Sequence, residues 1–261
     1  MGASNASGAS SVSGAAGTSG AAAVRRPRIA FLLGDAGGVG PELGVKLLAD
    51  PAARAAADVL LMADPVVLAE GERLAGIKLP VHRVAAADAP APGAGRIAWL
   101  ADDVLHGKLP PCAQSTAEAG RAALHALTQA SAAARAGHVQ GIVFAPLNKH
   151  SLRLGGMTHE DELRYLQERF AVGGFVCEFN ITGDLWTSRV TSHVPLRDVA
   201  PLITGPAVRD AVLIIDRALR RAGVARPRIA VTGLNPHAGD GGSIGMEEIK
   251  VIEPAVRALQ A

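Results

Sequence analysis

Short apolar runs alternate along this chain with longer stretches in which Ala, Leu and Val recur at helical spacing between charged residues. The first run, Arg28 to Leu33, leads into the glycine-rich segment GDAGGVG at Gly34 to Gly40 and then PELGVKLLAD. That order predicts strand, loop and helix. Val59 to Met62, Ile97 to Leu100, Gly141 to Ala145 and Arg228 to Val231 are further strand candidates, several lying just before a Gly, Pro or Asp loop. Arg189 to His193 alternates in strand fashion, and Pro195 opens a helix. Ala-rich helical patterns fill Thr116 to Ala136, Asp161 to Phe170 and Pro206 to Ala222. The alternation predicts an α/β fold with a largely parallel, helix-covered sheet and no internal repeat.

Composition changes this picture at the chain's start. Of the first 23 residues 19 are Ser, Ala or Gly, so residues 1–23 are expected to be a disordered, linker-like tail. Residues 24–261 are left for folding, enough for one large α/β unit or two lobes sharing a cleft. Only 3% of the chain is aromatic, so Ala, Val, Leu and Ile must build the core. The net charge of +2 is spread without a basic run, which argues against a nucleic-acid binder. No apolar stretch approaches the roughly 20 residues that cross a bilayer, the run Ala211 to Ile215 being cut by Asp216 and Arg217. Cys112 and Cys177 form no CxxC motif, which makes a disulfide framework improbable and the cytoplasm the expected location.

Candidate chemistry gathers at strand ends, where α/β sheets bind ligands. Gly34 to Gly40 offers backbone N–H groups and a helix N-terminus to an anion, although it is neither a GxGxxG nor a P-loop, and a tight turn needing glycines explains it equally well. Asp35 within it would repel a phosphate unless it binds a ribose hydroxyl, a metal or a loop N–H. The stretch APLNKHSLRLGGMTHEDEL packs Asn148, Lys149, His150, His159, Glu160 and Asp161 into a few turns, with Lys149 the nearest candidate for a general acid or base. A simple charge partner for phosphate or carboxylate is the competing role for Lys149. His193 ends one candidate strand and His237 follows another in GLNPHAGDGGSIG, so two neutral imidazoles could meet over one sheet and take a divalent metal. A catalytic metal normally needs a third protein ligand, and no other His is an evident one.

Four blocks in order resemble the 4-hydroxythreonine-4-phosphate dehydrogenases of vitamin B6 (pyridoxine) biosynthesis: GDAGGVGPEL against GDPAGIGPE, APLNKHSLRLGG against GPVHKxxxxxAG, TSHVPLRDV against THLPLRDV, and GLNPHAGDGGSIGMEEI against GLNPHAGEGGxxGxEE. The resemblance implies a two-lobe fold like isocitrate and isopropylmalate dehydrogenases, with a central cleft, in a homodimer. It implies NAD-dependent oxidation of a phosphorylated hydroxy acid such as 4-phosphohydroxy-L-threonine, followed by loss of CO2. It further implies a divalent metal (Zn, Mg, Mn or Co) held by His193, His237 and a third His, with His159 contacting substrate. The seat of the cofactor is not assigned by these blocks.

Two departures bear on the substrate. The family's GHTE reads HEDE, so Glu160 stands where a substrate-holding Thr is expected, and a carboxylate there would repel a phosphorylated or carboxylated substrate. The segment GGFVCEFNITGDLWTS is also longer than in the B6 enzymes. Threonate or erythronate 4-phosphates and cyclohexadiene diol carboxylates therefore become alternative substrates. The family's third metal His lies in a YHDQ block well downstream of NPHAGE, so the chain is expected to be a fragment or truncated product, incomplete at the C-terminus. A non-catalytic truncated remnant and a metal-independent acyl or phosphate transferase on a related scaffold are the other classes compatible with the residues.

Overall fold

The run RIAFL becomes a strand because its alternation sends Ala30 and Leu32 to one face and Phe31 to the other, all buried. Burial on both faces is what a parallel strand under two helical layers requires. The computed structural model describes residues 26–260 except Ala94; the expected tail at 1–23 lies outside the described residues.

The first part of the chain runs β1 (Arg28–Leu32), α1 (Gly40–Ala49), α2 (Pro51–Ala56), β2 (Asp58–Ala63), α3 (Pro65–Ala75), β3 (Val81–Val84), β4 (Ile97–Ala101), α4 (Ala117–Arg135) and β5 (Gly141–Phe144). It continues with α5 (Lys149–Leu154), α6 (Glu162–Arg169), β6 (Asn180–Thr182), β7 (Leu185–Thr187), α7 (Val199–Leu202), α8 (Gly205–Arg221) and α9 (Glu253–Gln260). Five strands form one parallel sheet in the order β3-β4-β2-β1-β5, with Ala30 opposite Leu60 on one side and Ile142 on the other. Phe31, Leu61 and Ile97 pack with Val45, Leu48, Val67 and Leu68 from α1 and α3. Leu32, Leu60, Met62 and Ala98 pack with Leu127 and Ala130 of α4 on the opposite face.

Local signals place the helices. Asp64 caps α3, accepting from the Val66 N–H at 3.1 Å, and Thr116 caps α4, accepting from the Ala119 N–H at 3.1 Å. Gly120 lets α4 lie directly against α5, for a Cβ there would run into the Ser151 carbonyl. β2, β4 and β3 lie to one side of β1 and β5 to the other, so the chain reverses direction across the sheet between β1 and β5. Their carboxyl ends form a topological switch point, the usual seat of a ligand in such sheets.

The strand candidates at 28–33, 59–62, 97–100 and 141–145 are all found, and a fifth, β3, was missed because VHRV is a polar edge strand. Two expectations are corrected. Arg189 to His193 and Arg228 to Val231 are not strands: among the described residues neither pairs into a sheet, so each alternating pattern lacks the neighbour that would close its ladder. They run instead beside α8, whose Val208, Ala211 and Ile215 are buried, along an open apolar groove of about 580 Å³. β6 and β7 form a small antiparallel hairpin, with Ile181 opposite Trp186. Cys112 and Cys177 are free, and among the described residues no helix is long and apolar enough to cross a membrane.

Gly120→Ala is expected to destabilise the protein by about 1–3 kcal/mol, because α4 and α5 must separate to admit the methyl group. Urea unfolding read by circular dichroism measures it.

Candidate functional site

At the switch point the loops after β1 and β5 are fastened together. The Asp35 N–H donates to the Pro146 carbonyl at 3.0 Å, and Gly34, at φ 77°, lies so close that a Cβ would sit 2.5 Å from the same oxygen. Asp35 is buried, and its Oδ1 accepts from the Gly37 N–H at 2.8 Å, so of the roles open to this acid the structure provides the loop N–H. Its Oδ2 is buried without a described partner. Asn148 proves to be a helix cap: its Oδ1 accepts from the N–H groups of His150 and Ser151, each at 2.9 Å, and faces the Ser115 hydroxyl. That cap sets Lys149 at the first residue of α5, exposed beside the switch-point loops, with His150 exposed next to it. The described residues do not bury Lys149.

His159 is held by its surroundings. Its Nε2 stands 2.6 Å from Glu168 Oε2, its ring meets Tyr165 edge-on with centroids 5.4 Å apart, and its Nδ1 is buried without a described partner. Tyr165 is fixed in turn by its hydroxyl, 2.6 Å from Thr128 Oγ1. Glu160, next in sequence, lines a different space. It shares a cavity of about 90 Å³ with Arg164, Cys177, Arg189 and His193, while Arg189 is paired to Glu178 at 3.2 Å. Three residues singled out from the sequence, Glu160, Asp161 and His193, are thus brought to one cavity. His237 does not line it.

The two motif histidines share a different property. His193 has φ 57° and His237 has φ 53°, both in the left-handed region that L side chains occupy at a cost of about 1–3 kcal/mol. Around His237 the conformation persists: His237, Ala238, Gly239, Asp240 and Gly241 are all left-handed in succession. Such a turn needs an outside restraint, and Glu248 supplies it. Its Oε1 accepts from the N–H groups of Leu234 at 2.7 Å and Asn235 at 2.6 Å, and its Oε2 from the Asn235 side-chain amide at 3.0 Å. The same amide donates to Glu247 at 2.7 Å. The Asn235 side-chain hydrogen bond, followed by the Asn235 backbone N–H, pushes the Glu248 carboxyl down to about 2. Asn235 likewise lowers Glu247.

Sequence reasoning missed Glu248, although it stands in the quoted GMEEI block, because its partners lie 13 and 14 positions before it. It also missed Asp102 at the end of β4, which accepts from Gln129 at 2.8 Å and stands 3.5 Å from His125 Nε2.

The donor chemistry of His193 and His237 suits a divalent metal in kind but not in number. Among the described residues no three His, Cys, Asp or Glu side chains stand together as a metal requires. These residues alone do not make a metal centre.

Comparison with known proteins gives this geometry a setting. The family described as pyridoxal phosphate biosynthetic protein PdxA matches residues 55–261. A Pseudomonas aeruginosa protein carrying the provisional name 4-hydroxythreonine-4-phosphate dehydrogenase 2 is 46% identical over 240 residues, covering 88% of this chain and 68% of its own length. The D-threonate 4-phosphate dehydrogenase of Bordetella bronchiseptica is 34% identical over 241 residues, 91% of this chain and 68% of its own. Among solved structures, the 4-hydroxythreonine-4-phosphate dehydrogenase of Klebsiella pneumoniae superposes with a TM-score of 0.78 at 30% identity, over 90% of this chain and 71% of that one.

Two outcomes are expected. Because the folded Glu248 carboxyl lies below its ordinary value of 4.5, its stabilisation is full above 4.5 and is lost as pH falls toward about 2. Melting temperature against pH should therefore fall less steeply across that window in Glu248→Gln than in the parent chain. Calorimetric titration with Zn²⁺ should show weak binding, with a dissociation constant in the micromolar range or above, since two imidazoles leave the ion mostly hydrated.

Proposed function

The chain belongs to the PdxA family, homologous to oxidoreductases of the 4-hydroxythreonine-4-phosphate dehydrogenase kind, and from that premise we propose that it oxidises the secondary hydroxyl of a phosphorylated hydroxy acid with NAD. The substrate favoured is 4-phosphohydroxy-L-threonine. The carbinol carbon gives up hydride to the nicotinamide while its hydroxyl loses a proton, and the resulting β-keto acid releases CO2. Lys149, exposed beside the switch-point loops, is the proposed proton acceptor. Arg164 and Arg189 border a cavity that Glu160, Asp161 and Glu178 also line, and Arg189 is already paired to Glu178, so this cavity is not assigned to the phosphate.

The observation that carries this reading is the left-handed turn at His237–Gly241, with His237, Ala238 and Asp240 held in strained backbone within the block that resembles the family's. Backbone strain of this kind persists where the surrounding structure over-determines it, and it concentrates at reacting sites. A homodimer is part of the proposal, and the exposed Val143 and Phe144 on the edge strand β5 are consistent with a covered surface.

A second reading, D-threonate 4-phosphate as substrate, rests on the similarity to the Bordetella relative.

Absorbance assays of NADH with each substrate separate the two. Formation of NADH from 4-phosphohydroxy-L-threonine is expected, with kcat/KM reduced about 100-fold or more in His237→Ala, the histidine of the strained turn in the block that resembles the family's. A higher kcat/KM with D-threonate 4-phosphate would establish the second reading. Turnover untouched by His237→Ala would refute the site.

A further inference from the structure

Three polar side chains meet at the carboxyl end of β4. Asp102, the first residue after the strand, has a side chain only 11% exposed, and its Oδ1 accepts from the Gln129 side-chain amide at 2.8 Å. His125, one turn earlier on α4, sets its Nε2 2.6 Å from the same amide nitrogen and 3.5 Å from the same Asp102 oxygen. The three atoms close a triangle.

The partners dictate where the protons are. A carboxylate only accepts, so the Gln129 group facing Asp102 is the NH2 and not the carbonyl oxygen. That nitrogen offers no lone pair, so His125 Nε2, 2.6 Å away, has to be the acceptor. His125 is therefore neutral in this arrangement and carries its proton on Nδ1. A second proton has no place there, since on Nε2 it would meet the amide donor against donor. The acceptor within reach is Asp102 Oδ1, already at ion-pair distance.

Other charges leave the choice to these three groups. Arg121, one turn before His125 on the same helix, is held by Glu118 at 3.1 Å. Two helices, α5 and α6, pack on α4. The first carries no acid, and among the described residues neither Glu162 nor Glu168 of the second pairs with His125. The strands β1, β2 and β5 meet α4 through apolar side chains.

We propose that Asp102, Gln129 and His125 form a proton-operated toggle. With His125 neutral, the Gln129 amide bridges Asp102 and the imidazole and so ties α4 to the end of β4. When His125 takes up a proton, its Nε2–H turns to Asp102 and displaces the amide. Asp102 borders a small cavity together with Gly34 and Leu147, which stand in the loops after β1 and β5, so the toggle acts beside the switch point. It is independent of the reaction above, and its test needs no turnover.

Nitrogen-15 NMR of the 261-residue chain is that test, with the His125 signals identified by their loss in His125→Phe. In mildly alkaline solution His125 should show a protonated Nδ1 and a bare Nε2; a proton on Nε2 would overturn the proposal. Gln129→Glu exchanges the donor for an acceptor and should move the proton to Nε2, and an unchanged tautomer in that variant would also overturn it. Acidification to about pH 5, through the range in which histidines charge, should shift the Gln129 side-chain amide resonances in step with the His125 ring. Exchange of those amide protons with water should rise about tenfold over the same range. In His125→Phe neither change should occur. Gln129 resonances that follow pH equally in His125→Phe, or that stay fixed in the parent chain while His125 charges, would contradict the toggle.

Discussion

One buried carboxylate sets the geometry on which the proposed chemistry depends. Glu248 gathers the N–H groups of Leu234 and Asn235 and the Asn235 amide, and so closes a turn whose next residues run left-handed for five positions. A left-handed residue other than glycine is unfavourable in isolation, and three of them stand in this turn. The clamp fixes the two residues that lead into this turn. The clamp is electrostatic, since hydrogen bonds to the charged form also hold Glu248 ionised.

A second constraint acts on the other half of the chain. β1 pairs on both sides, and because β5 is added opposite to β2, the loops after β1 and β5 must lie side by side. Gly34 allows their close approach, and Asp35 spends one oxygen on fixing its own loop. Lys149 owes its position to the same arrangement through the Asn148 cap. The two constraints are of different kinds: the sheet fixes loops by main-chain pairing, whereas the histidine turn is fixed by a single side chain.

Much of this was legible in the residues and some was not. Three of the sheet's strands, β1, β2 and β4, could be read because two-sided burial demands continuous apolar runs, and the edge strand β5 because GIVF is apolar although half of it is exposed, while β3, at the other edge, carries His82 and Arg83 and gives no such run. Asn148 attracted a chemical reading, yet an Asn before a helical stretch is foremost a cap, and that is its role. The segments at 189–193 and 228–231 show that alternation records which face a residue prefers and says nothing of the partner strand. Positive φ at His193 and His237 left no trace in the sequence, because histidine gives no conformational signal as glycine does. Glu248 was hidden for another reason: it acts on residues 13 and 14 positions before it, a separation that only folding closes.

The central claim is that the turn clamped by Glu248 is part of a dehydrogenase site, and steady-state kinetics of Glu248→Gln test it most directly. The measurement compares NADH formation from 4-phosphohydroxy-L-threonine by the parent chain and the variant, each shown by circular dichroism to be folded at the assay temperature. A fall in kcat with little change in KM is the result predicted, since substrate affinity is retained while the reacting geometry is lost. Equal kcat in the two folded proteins, or no NADH from the parent chain, would contradict the account.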